Sequence, residues 1–374
     1  MASHGVSKSV RDKTEQQKEA EREKIQKYRS LEDEFRQLTS QGEFDDSIFQ
    51  LTTKLLRINP EYYTVWNARR RCLLSGKSSK FLSSPKPTSE TIESKDSSAT
   101  NADQQGATAM TIDTVKSELM FTVPLLMEHP KCYWIWNYRM WMLDQATNLL
   151  PTSISKTVWV EELALISKML SRDERNYHAW AYRRFVVSQL ELPLFGGESM
   201  AESEFEYTTK RLQSNFSNFS AWHNRSELIP KLVKLRSLDT TARKEFLDAE
   251  FEYINGAINL SPEDQSLWYY HQFLVANITT TDTATSIVPD LSTADRVADI
   301  QREIEGIKDL LEDYTDVNWI YVSLLEYSLA ICRLEKQSPK ENLTELPQWL
   351  GKIKELDHLQ AGRWNELAAE LQIS

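Results

Sequence analysis

Residues 173–188 read DERNYHAWAYRRFVVS, and stretches of the same pattern recur four more times along the chain. The other four begin at residues 59, 129, 215 and 261, and all five align without gaps. Their central tryptophans are Trp66, Trp136, Trp180, Trp222 and Trp268. The intervals between these tryptophans are 70, 44, 42 and 46 residues. Internal repetition at such intervals is typical of a helical-repeat array.

Several columns of this alignment lie on one side of a helix. Four repeats carry an arginine three residues after the tryptophan, namely Arg69, Arg139, Arg183 and Arg225. Four repeats carry an aromatic residue three before it, and all five carry an aliphatic residue seven after it. Because these offsets share a helical face, we expect that face to be buried between stacked hairpins. The tryptophans then form the core, and the arginines snorkel or pair with carboxylates between layers.

The residues before each tryptophan predict where its helix begins. Seven positions earlier, four repeats carry good N-cap residues, which are Asn59, Asp173, Asn215 and Ser261. Proline follows this position in three of the five repeats, and proline is favoured at the first position of a helix. The second helix of each hairpin is therefore predicted to start here. In that register, the residue five before the tryptophan occupies the second helical position.

Two weaker units, at Trp319 and Trp364, continue the series. The sequence therefore predicts an all-α fold, a right-handed α-α superhelix (solenoid) of about seven helical hairpins. We expect residues 1–36 to form a charged N-terminal helical arm and residues 37–374 to form a single helical-repeat domain. Within that domain, residues 76–111 contain 13 serines and threonines among 36 residues and are predicted to be a disordered insert. Residues 279–293 are predicted to be a polar linker.

Composition excludes several classes of function. The chain has 374 residues and a net charge of -11, whereas nucleic-acid binding requires a basic surface. It has no run of 18 apolar residues, so we expect no membrane insertion. Its three cysteines are too few for a disulfide framework, and no secretory signal precedes the charged arm. These features predict a cytoplasmic protein.

A search for catalytic motifs finds none of the common ones. The sequence has no phosphate-binding loop, no glycine-rich dinucleotide motif, no nucleophile elbow and no HExxH zinc motif. Its six histidines are dispersed, and no pair has zinc-ligand spacing with a third ligand nearby. We therefore predict no catalytic residue and no metal site on this chain alone.

One local anomaly indicates anion binding. The helix macrodipole favours acidic residues in the first turn, but two neighbouring repeats carry Lys131 and Arg175 at the predicted second helical position. A cation beside free N–H groups at a helix N-terminus makes a site for a phosphate or diphosphate. The same turns also offer neutral donors, from Tyr133, Tyr177 and His178.

The tandem Tyr-x-x-Trp-x-x-Arg hairpins, with NPEYYTVWNARR at 59–70 and DERNYHAWAYRR at 173–184, resemble the α subunits of protein prenyltransferases. The segments HGV at 4–6, TEQQ at 14–17 and KIQKYR at 24–29 are most similar to the Rab geranylgeranyltransferase (type II) branch. The larger animal relatives carry an immunoglobulin-like insertion and a leucine-rich repeat domain. This chain is too short for either, so it resembles the compact fungal form.

The resemblance implies a heterodimer in which this chain clamps a catalytic β subunit. That β subunit would hold the zinc ion and the isoprenoid pocket, with geranylgeranyl diphosphate as co-substrate. The geranylgeranyl group would pass to C-terminal cysteines of Rab GTPases, and the outer surface of this chain would meet the Rab escort protein. In the family, a lysine two positions before the repeat tyrosine faces the diphosphate. Here that lysine is Lys131, followed by Tyr133, and the Tyr-His pair of the next repeat is Tyr177 and His178.

Two other functions remain open at the level of sequence. One is the α subunit shared by farnesyltransferase and type I geranylgeranyltransferase, which has the same architecture. The other is a non-enzymatic helical-repeat scaffold of the tetratricopeptide kind, whose period of about 34 residues differs from the intervals here. The sequence does not identify the β partner, the GTPases modified, or the roles of the insert and of His4.

Overall fold

The computed structural model describes residues 14–77, 82, 99–280, 282, 286–338 and 344–371. Within these ranges the chain forms fifteen α-helices and a few short 3-10 turns, and no residue is in a strand. The prediction of an all-α fold is confirmed. The helices divide between two compact units, residues 1–198 and residues 199–374.

The first unit contains an N-terminal helix and three helical hairpins. The N-terminal helix α1 spans Glu15–Ser40. The hairpins are α2 (Asp46–Ile58) with α3 (Tyr63–Leu74), α4 (Ala99–Glu128) with α5 (Tyr133–Leu149), and α6 (Thr152–Arg172) with α7 (Tyr177–Leu190). Helix α1 packs on the first hairpin through buried Phe35, and the Tyr62 hydroxyl donates to Glu32 at 3.1 Å.

The second unit contains four further hairpins in the described part of the chain. They are α8 (Ala201–Ser214) with α9 (Phe219–Leu235), α10 (Thr240–Leu260) with α11 (Gln265–Thr279), α12 (Thr293–Asp309) with α13 (Asn318–Glu335), and α14 (Leu346–Leu356) with α15 (Ala361–Glu370). The total of seven hairpins agrees with the number predicted from the repeats.

The repeat tryptophans are buried, as predicted, and each makes the same hydrogen bond. The indole Nε1 donates to a backbone carbonyl six residues earlier, in the turn between the two helices of the hairpin. The pairs are Trp66 with Pro60 (2.8 Å), Trp136 with Pro130 (3.0 Å), Trp180 with Glu174 (2.8 Å), Trp222 with Phe216 (2.8 Å) and Trp268 with Pro262 (2.6 Å). Each indole therefore supplies apolar area to the core and also fixes the turn that precedes its helix.

Three of the repeat arginines, Arg69, Arg139 and Arg225, pair with glutamates of the following hairpin, which is one of the two predicted roles. Arg69 on α3 donates from Nε and Nη2 to Glu118 on α4, at 2.6 and 2.8 Å. Its Nη1 donates to the hydroxyls of Thr52 and Thr53 on α2, at 2.9 and 2.8 Å. One guanidinium thus connects three helices, and nearly all its donors are satisfied although it is buried.

The same arrangement recurs in both units. Arg139 makes two hydrogen bonds to Glu162, and Arg225 makes two to Glu250. Each of these carboxylates also accepts a hydrogen bond from a tyrosine hydroxyl, and this tyrosine lies on the second helix of the hairpin that carries the glutamate. These tyrosine–glutamate pairs are Tyr138 with Glu118 (2.6 Å), Tyr182 with Glu162 (2.8 Å) and Tyr270 with Glu250 (2.6 Å). Each glutamate therefore joins two consecutive hairpins.

The ionisation of these groups follows from their surroundings. Burial disfavours the charge on Arg69, Arg139 and Arg225, but the glutamates outweigh it and hold the pKa of each guanidinium above its usual value. Burial raises the pKa of the partner tyrosines well above the usual value, and the neighbouring glutamate charge adds to the rise. The hydroxyls therefore stay protonated and act as donors to the carboxylates.

The predicted start of the second helices was wrong by three residues. These helices begin at Tyr63, Tyr133, Tyr177, Phe219 and Gln265, which stand three residues before the tryptophan. The residues seven before it end the preceding helix instead, and Asn59 is the C-cap of α2. The Asn59 side chain accepts from the Glu61 N–H at 3.1 Å, so Asn-Pro here forms a turn between helices. Asparagine, aspartate, serine and proline are typical of turns as well as of helix starts, so these residues did not discriminate between the two.

The later start changes the environment of the aromatic residues three before the tryptophan. They were expected on the buried face, but they occupy the first helical position and are exposed. Their side chains are 54%, 51%, 74% and 49% exposed for Tyr63, Tyr133, Tyr177 and Phe219. The other positions of the predicted face, at 0, +3 and +7, are buried in all five repeats.

The prediction of a disordered insert at 76–111 was wrong for its last third. Helix α4 begins at Ala99 and includes residues 99–111, and Thr111 is buried. This stretch contains four alanines, including Ala107 and Ala109, and alanine has the highest helix propensity. Residues 78–81 and 83–98 lie outside the described residues.

The segment predicted as a polar linker, 279–293, is packed where it is described. Ile287 and Val288 are both 2% exposed. Buried Arg296 on α12 donates to carbonyls along the segment, including Thr280 (2.9 Å) and Pro289 (2.7 Å). The arginine thereby satisfies backbone acceptors that lie outside any helix.

The fifth and sixth repeats keep the pattern with different side chains. His271 stands in the arginine position and contacts Glu303 through Nε2 (3.1 Å) and the Tyr327 hydroxyl through Nδ1 (2.7 Å). Burial opposes the charge of Glu303, but His271 outweighs it, so the pKa of this carboxyl lies below its usual value.

In the sixth repeat Tyr321 takes the tryptophan position, and its hydroxyl donates to the Thr315 carbonyl at 2.9 Å. The prediction that Trp319 marks this unit was therefore wrong by two residues, whereas Trp364 is buried as predicted.

We predict that Glu250→Ala lowers the free energy of unfolding by about 3–5 kcal/mol, because it leaves Arg225 charged and buried without its carboxylate. The measurement is urea denaturation of the purified protein. Glu206→Ala is the matched control, since Glu206 pairs with Lys210 on the same unit but both side chains are more than 60% exposed. This control should change the free energy by less than about 0.5 kcal/mol. Equal effects of the two substitutions would contradict the role given to the buried pairs.

Candidate anion-binding edge

The turns before α5 and α7 lie side by side and share a hydrogen-bond acceptor. The Pro130 carbonyl accepts from the Trp136 indole at 3.0 Å and from Asn176 Nδ2 at 3.1 Å. Asn176 is the N-cap of α7, and its Oδ1 accepts from the Ala179 N–H at 3.1 Å. The first turns of α5 and α7 are therefore held at the same edge of the unit.

This contact brings together three of the predicted site residues. The rings of Tyr133 and His178 lie 6.4 Å apart, and those of His178 and Tyr177 lie 5.7 Å apart. Tyr133 and Tyr177 are exposed, and His178 is half-buried. Two hydroxyls and one imidazole from consecutive repeats thus face solvent within one patch, and all three can donate hydrogen bonds to an anion.

The two predicted cations, Lys131 and Arg175, are exposed and precede these helices. Their predicted place at the second helical position was wrong, because the N-caps are Cys132 and Asn176 and the cations lie one residue outside them. No side-chain hydrogen bond caps α5 within the described residues, so the positive end of its helix dipole lies beside Lys131. The combination of a cation and a helix N-terminus is therefore retained at α5.

Two residues that the sequence did not indicate extend the patch. The Trp134 ring lies 5.4 Å from that of Tyr133 and 5.4 Å from that of Tyr63, at the start of α3. Tyr63 stands three residues before its tryptophan, as Tyr133 does, so the alignment of the repeats could have indicated Tyr63. Trp134 belongs to no shared column, and only the structure shows that it bridges two repeats.

Neither a metal centre nor a nucleophilic cysteine is found in the described part of the chain. No group of three or more His, Cys, Asp or Glu side chains within the described ranges is placed to hold a metal ion. Burial raises the pKa of the Cys72 thiol to about 12 and that of the Cys132 thiol to about 11. Burial also raises the pKa of Cys332. All three thiols are therefore protonated at neutral pH and unsuited to ligate a metal or attack a substrate.

None of the helices in the described ranges is both long enough and apolar enough to span a membrane.

Comparisons with known proteins agree on one family. The protein prenyltransferase alpha subunit repeat matches at residues 45–76, 115–146, 159–190, 201–232 and 247–278. These five ranges contain the five tryptophan repeats. Each match begins near the start of, or inside, the first helix of a hairpin and ends near or within the second.

Curated relatives extend this match to nearly the whole chain. The geranylgeranyl transferase type-2 subunit alpha of Schizosaccharomyces pombe is 33% identical over 98% of this chain and 98% of its own length. The protein of the same name from Candida albicans is 34% identical over 68% of this chain and 67% of its own. That from Saccharomyces cerevisiae is 32% identical over 73% and 72%.

A solved structure shares the fold. A chain of Candida albicans protein geranylgeranyltransferase-I complexed with GGPP superposes with a TM-score of 0.60, covering 92% of this chain and 91% of that one. The two sequences are 18% identical, so this likeness bears on the fold alone.

We predict that none of the three cysteines reacts with dithionitrobenzoate at pH 8 in the folded protein, because each thiol is buried and its pKa is raised. In denaturant all three should react. The measurement is the absorbance of the released thiolate with and without urea. Rapid modification of a cysteine in the folded state would contradict the burial and the raised pKa of that thiol.

Proposed function

The chain belongs to the protein prenyltransferase alpha subunit family, and from this premise we propose that it is the α subunit of a heterodimeric type II protein geranylgeranyltransferase. Its partner is a β subunit, and the complex transfers the geranylgeranyl group from geranylgeranyl diphosphate to C-terminal cysteines of Rab GTPases. Full-length similarity to curated type-2 alpha subunits supports the choice of this branch.

In this proposal the two subunits divide the chemistry. The β subunit holds a zinc ion, which supplies a reactive thiolate from the substrate cysteine. A thioether bond forms between that sulfur and C1 of the geranylgeranyl group, while the bond from C1 to the diphosphate oxygen breaks. The described residues of this chain do not form a metal site, so its part is to hold the β subunit and to bind the departing diphosphate.

The observation that carries the diphosphate role is the meeting of two helix starts at one edge. Tyr133 and His178 are 6.4 Å apart between ring centroids, and Lys131 is two residues from Tyr133 in an exposed turn. Negative charge develops on the diphosphate as its bond to carbon breaks, and preorganised donors stabilise that charge. Lys131 supplies a positive charge, and Tyr133, Tyr177 and His178 supply hydrogen bonds, with Arg175 adding a second cation.

The remaining partners follow from the same assignment. We propose that the outer surface of the hairpins meets the Rab escort protein and that the complex works in the cytoplasm.

The alternative role as the α subunit shared by farnesyltransferase and type I geranylgeranyltransferase is disfavoured, because the Schizosaccharomyces pombe type-2 subunit matches along 98% of the chain and two further fungal type-2 subunits match along 68% and 73%. A non-enzymatic scaffold is disfavoured by the exposed donors at the α5–α7 edge.

We predict that Lys131→Ala lowers kcat/KM for geranylgeranyl diphosphate by about 10² in the heterodimer, because one charged contact to the developing charge is lost. The measurement is steady-state prenylation of a Rab GTPase in the presence of its escort protein. Lys54→Ala is the control, since Lys54 is also an exposed lysine but lies within α2, the first helix of its hairpin, and not in a turn before a second helix. It should leave kcat/KM within about twofold. A Lys131→Ala enzyme with wild-type kcat/KM would refute the diphosphate role.

We also predict that the purified chain alone has no prenyltransferase activity and gains it when the β subunit is added. The physical reason is that the described residues gather neither a metal site nor a reactive thiol. The measurement is transfer of a labelled geranylgeranyl group with each subunit alone and with both. Transfer by this chain alone would contradict its assignment as a non-catalytic subunit.

A further inference from the structure

Asn176 connects the two turns of the anion-binding edge. Its side chain is buried at 3% exposure, and it makes three contacts. Its Oδ1 accepts from the Ala179 N–H at 3.1 Å and so caps α7. Its Nδ2 donates to the Pro130 carbonyl at 3.1 Å and lies 3.3 Å from Asp173 Oδ2. The cap acts within its own turn, whereas the bond to Pro130 reaches the preceding repeat.

Pro130 is the residue directly before Lys131, so this bond acts on the lysine backbone. A peptide unit is planar, and the Pro130 carbonyl lies in the same plane as the Lys131 N–H. The Trp136 indole donates to the same carbonyl at 3.0 Å. Two donors from buried side chains therefore fix the orientation of this peptide, one from each repeat.

In other repeats a residue at the start of the second helix makes only one of these two contacts, either the helix cap or the hydrogen bond to the preceding repeat. Asn218 caps α9 in the same way, accepting from the Ala221 N–H at 3.1 Å, and it is fully buried. Its Nδ2 makes no hydrogen bond in the described part of the chain. At the start of α5, Cys132 donates to the Pro60 carbonyl at 3.4 Å, but it does not cap its helix. Asn176 combines both functions, and it does so between the two turns that carry the candidate site.

We propose that Asn176 is a positioning residue for diphosphate binding, holding the Lys131 turn in register with Tyr177 and His178. This inference rests on the proposed function, since it requires that Lys131 face the diphosphate. A donor misplaced by even 1 Å loses much of its effect on a transition state. The bond from Asn176 Nδ2 to the Pro130 carbonyl therefore contributes to the rate without touching the substrate.

The test is Asn176→Ser in the heterodimer, alone and combined with Lys131→Ala. Serine is a good N-cap residue, so α7 stays capped while the Nδ2 donor is removed without adding charge. We expect a melting temperature that falls by no more than a few degrees, because buried hydrogen bonds of about 1 kcal/mol are lost, and a kcat/KM for geranylgeranyl diphosphate that is lower by about tenfold. In the Lys131→Ala background, where the charged group is absent and only the neutral donors remain to be positioned, the same substitution should lower kcat/KM by a clearly smaller factor.

Asn218→Ser is the matched control, because it loses the same atoms from a buried cap that has no Nδ2 partner. It should leave kcat/KM within about twofold. An unchanged kcat/KM for Asn176→Ser, or an equal loss with and without Lys131, would overturn the positioning role while leaving the proposed function intact. Wild-type activity of Lys131→Ala itself would overturn the diphosphate role and this inference together.

Discussion

The buried arginine–glutamate pair is the interaction on which the arrangement of the hairpins depends. Removing two charges from water costs several kcal/mol per ion, so such a pair is tolerated only with good geometry and further hydrogen bonds. Arg139 and Glu162 meet both conditions, because the guanidinium forms two parallel bonds and Tyr182 donates to the same carboxylate. A two-pronged contact of this kind fixes direction as well as distance. It therefore fixes the register of α5, α6 and α7, and with it the edge where the predicted anion site lies.

Much of this framework could be predicted from the sequence, because spacing reports which residues share a helical face. The burial of the tryptophans followed from that spacing, whereas for the arginines the spacing left two roles open, snorkelling or pairing with a carboxylate. The identity of the paired glutamates did not follow, since the chain has 55 acidic residues and only the packing of hairpins selects Glu118, Glu162 and Glu250. The helix starts were misplaced because asparagine, aspartate, serine and proline occur in turns between helices as readily as at helix starts.

The sequence selected most residues of the candidate site, but it did so with a helix register that the structure corrects. Lys131 and Arg175 were selected as cations inside the first turn, yet they lie one residue outside the cap. The rings of Tyr133 and His178 lie 6.4 Å apart, so the starts of α5 and α7 lie side by side. Trp134 could not be predicted, because nothing in its sequence position shows that it bridges two repeats. Side chains that act across repeats leave no local pattern, and Asn176 is a further case.

The sharing of each glutamate between two hairpins has an evolutionary consequence. Glu118 serves Arg69 of one hairpin and Tyr138 of the next, so a hairpin cut out at its own ends would leave bonds unmade on both sides. A duplication or deletion of one whole period within the array, by contrast, exchanges one set of partners for an equivalent set, as the same contacts of Glu162 with Arg139 and Tyr182 show. Such arrays are therefore expected to grow or shrink by whole periods rather than by single helices, because loss of one helix alone would leave a buried arginine or glutamate without its partner.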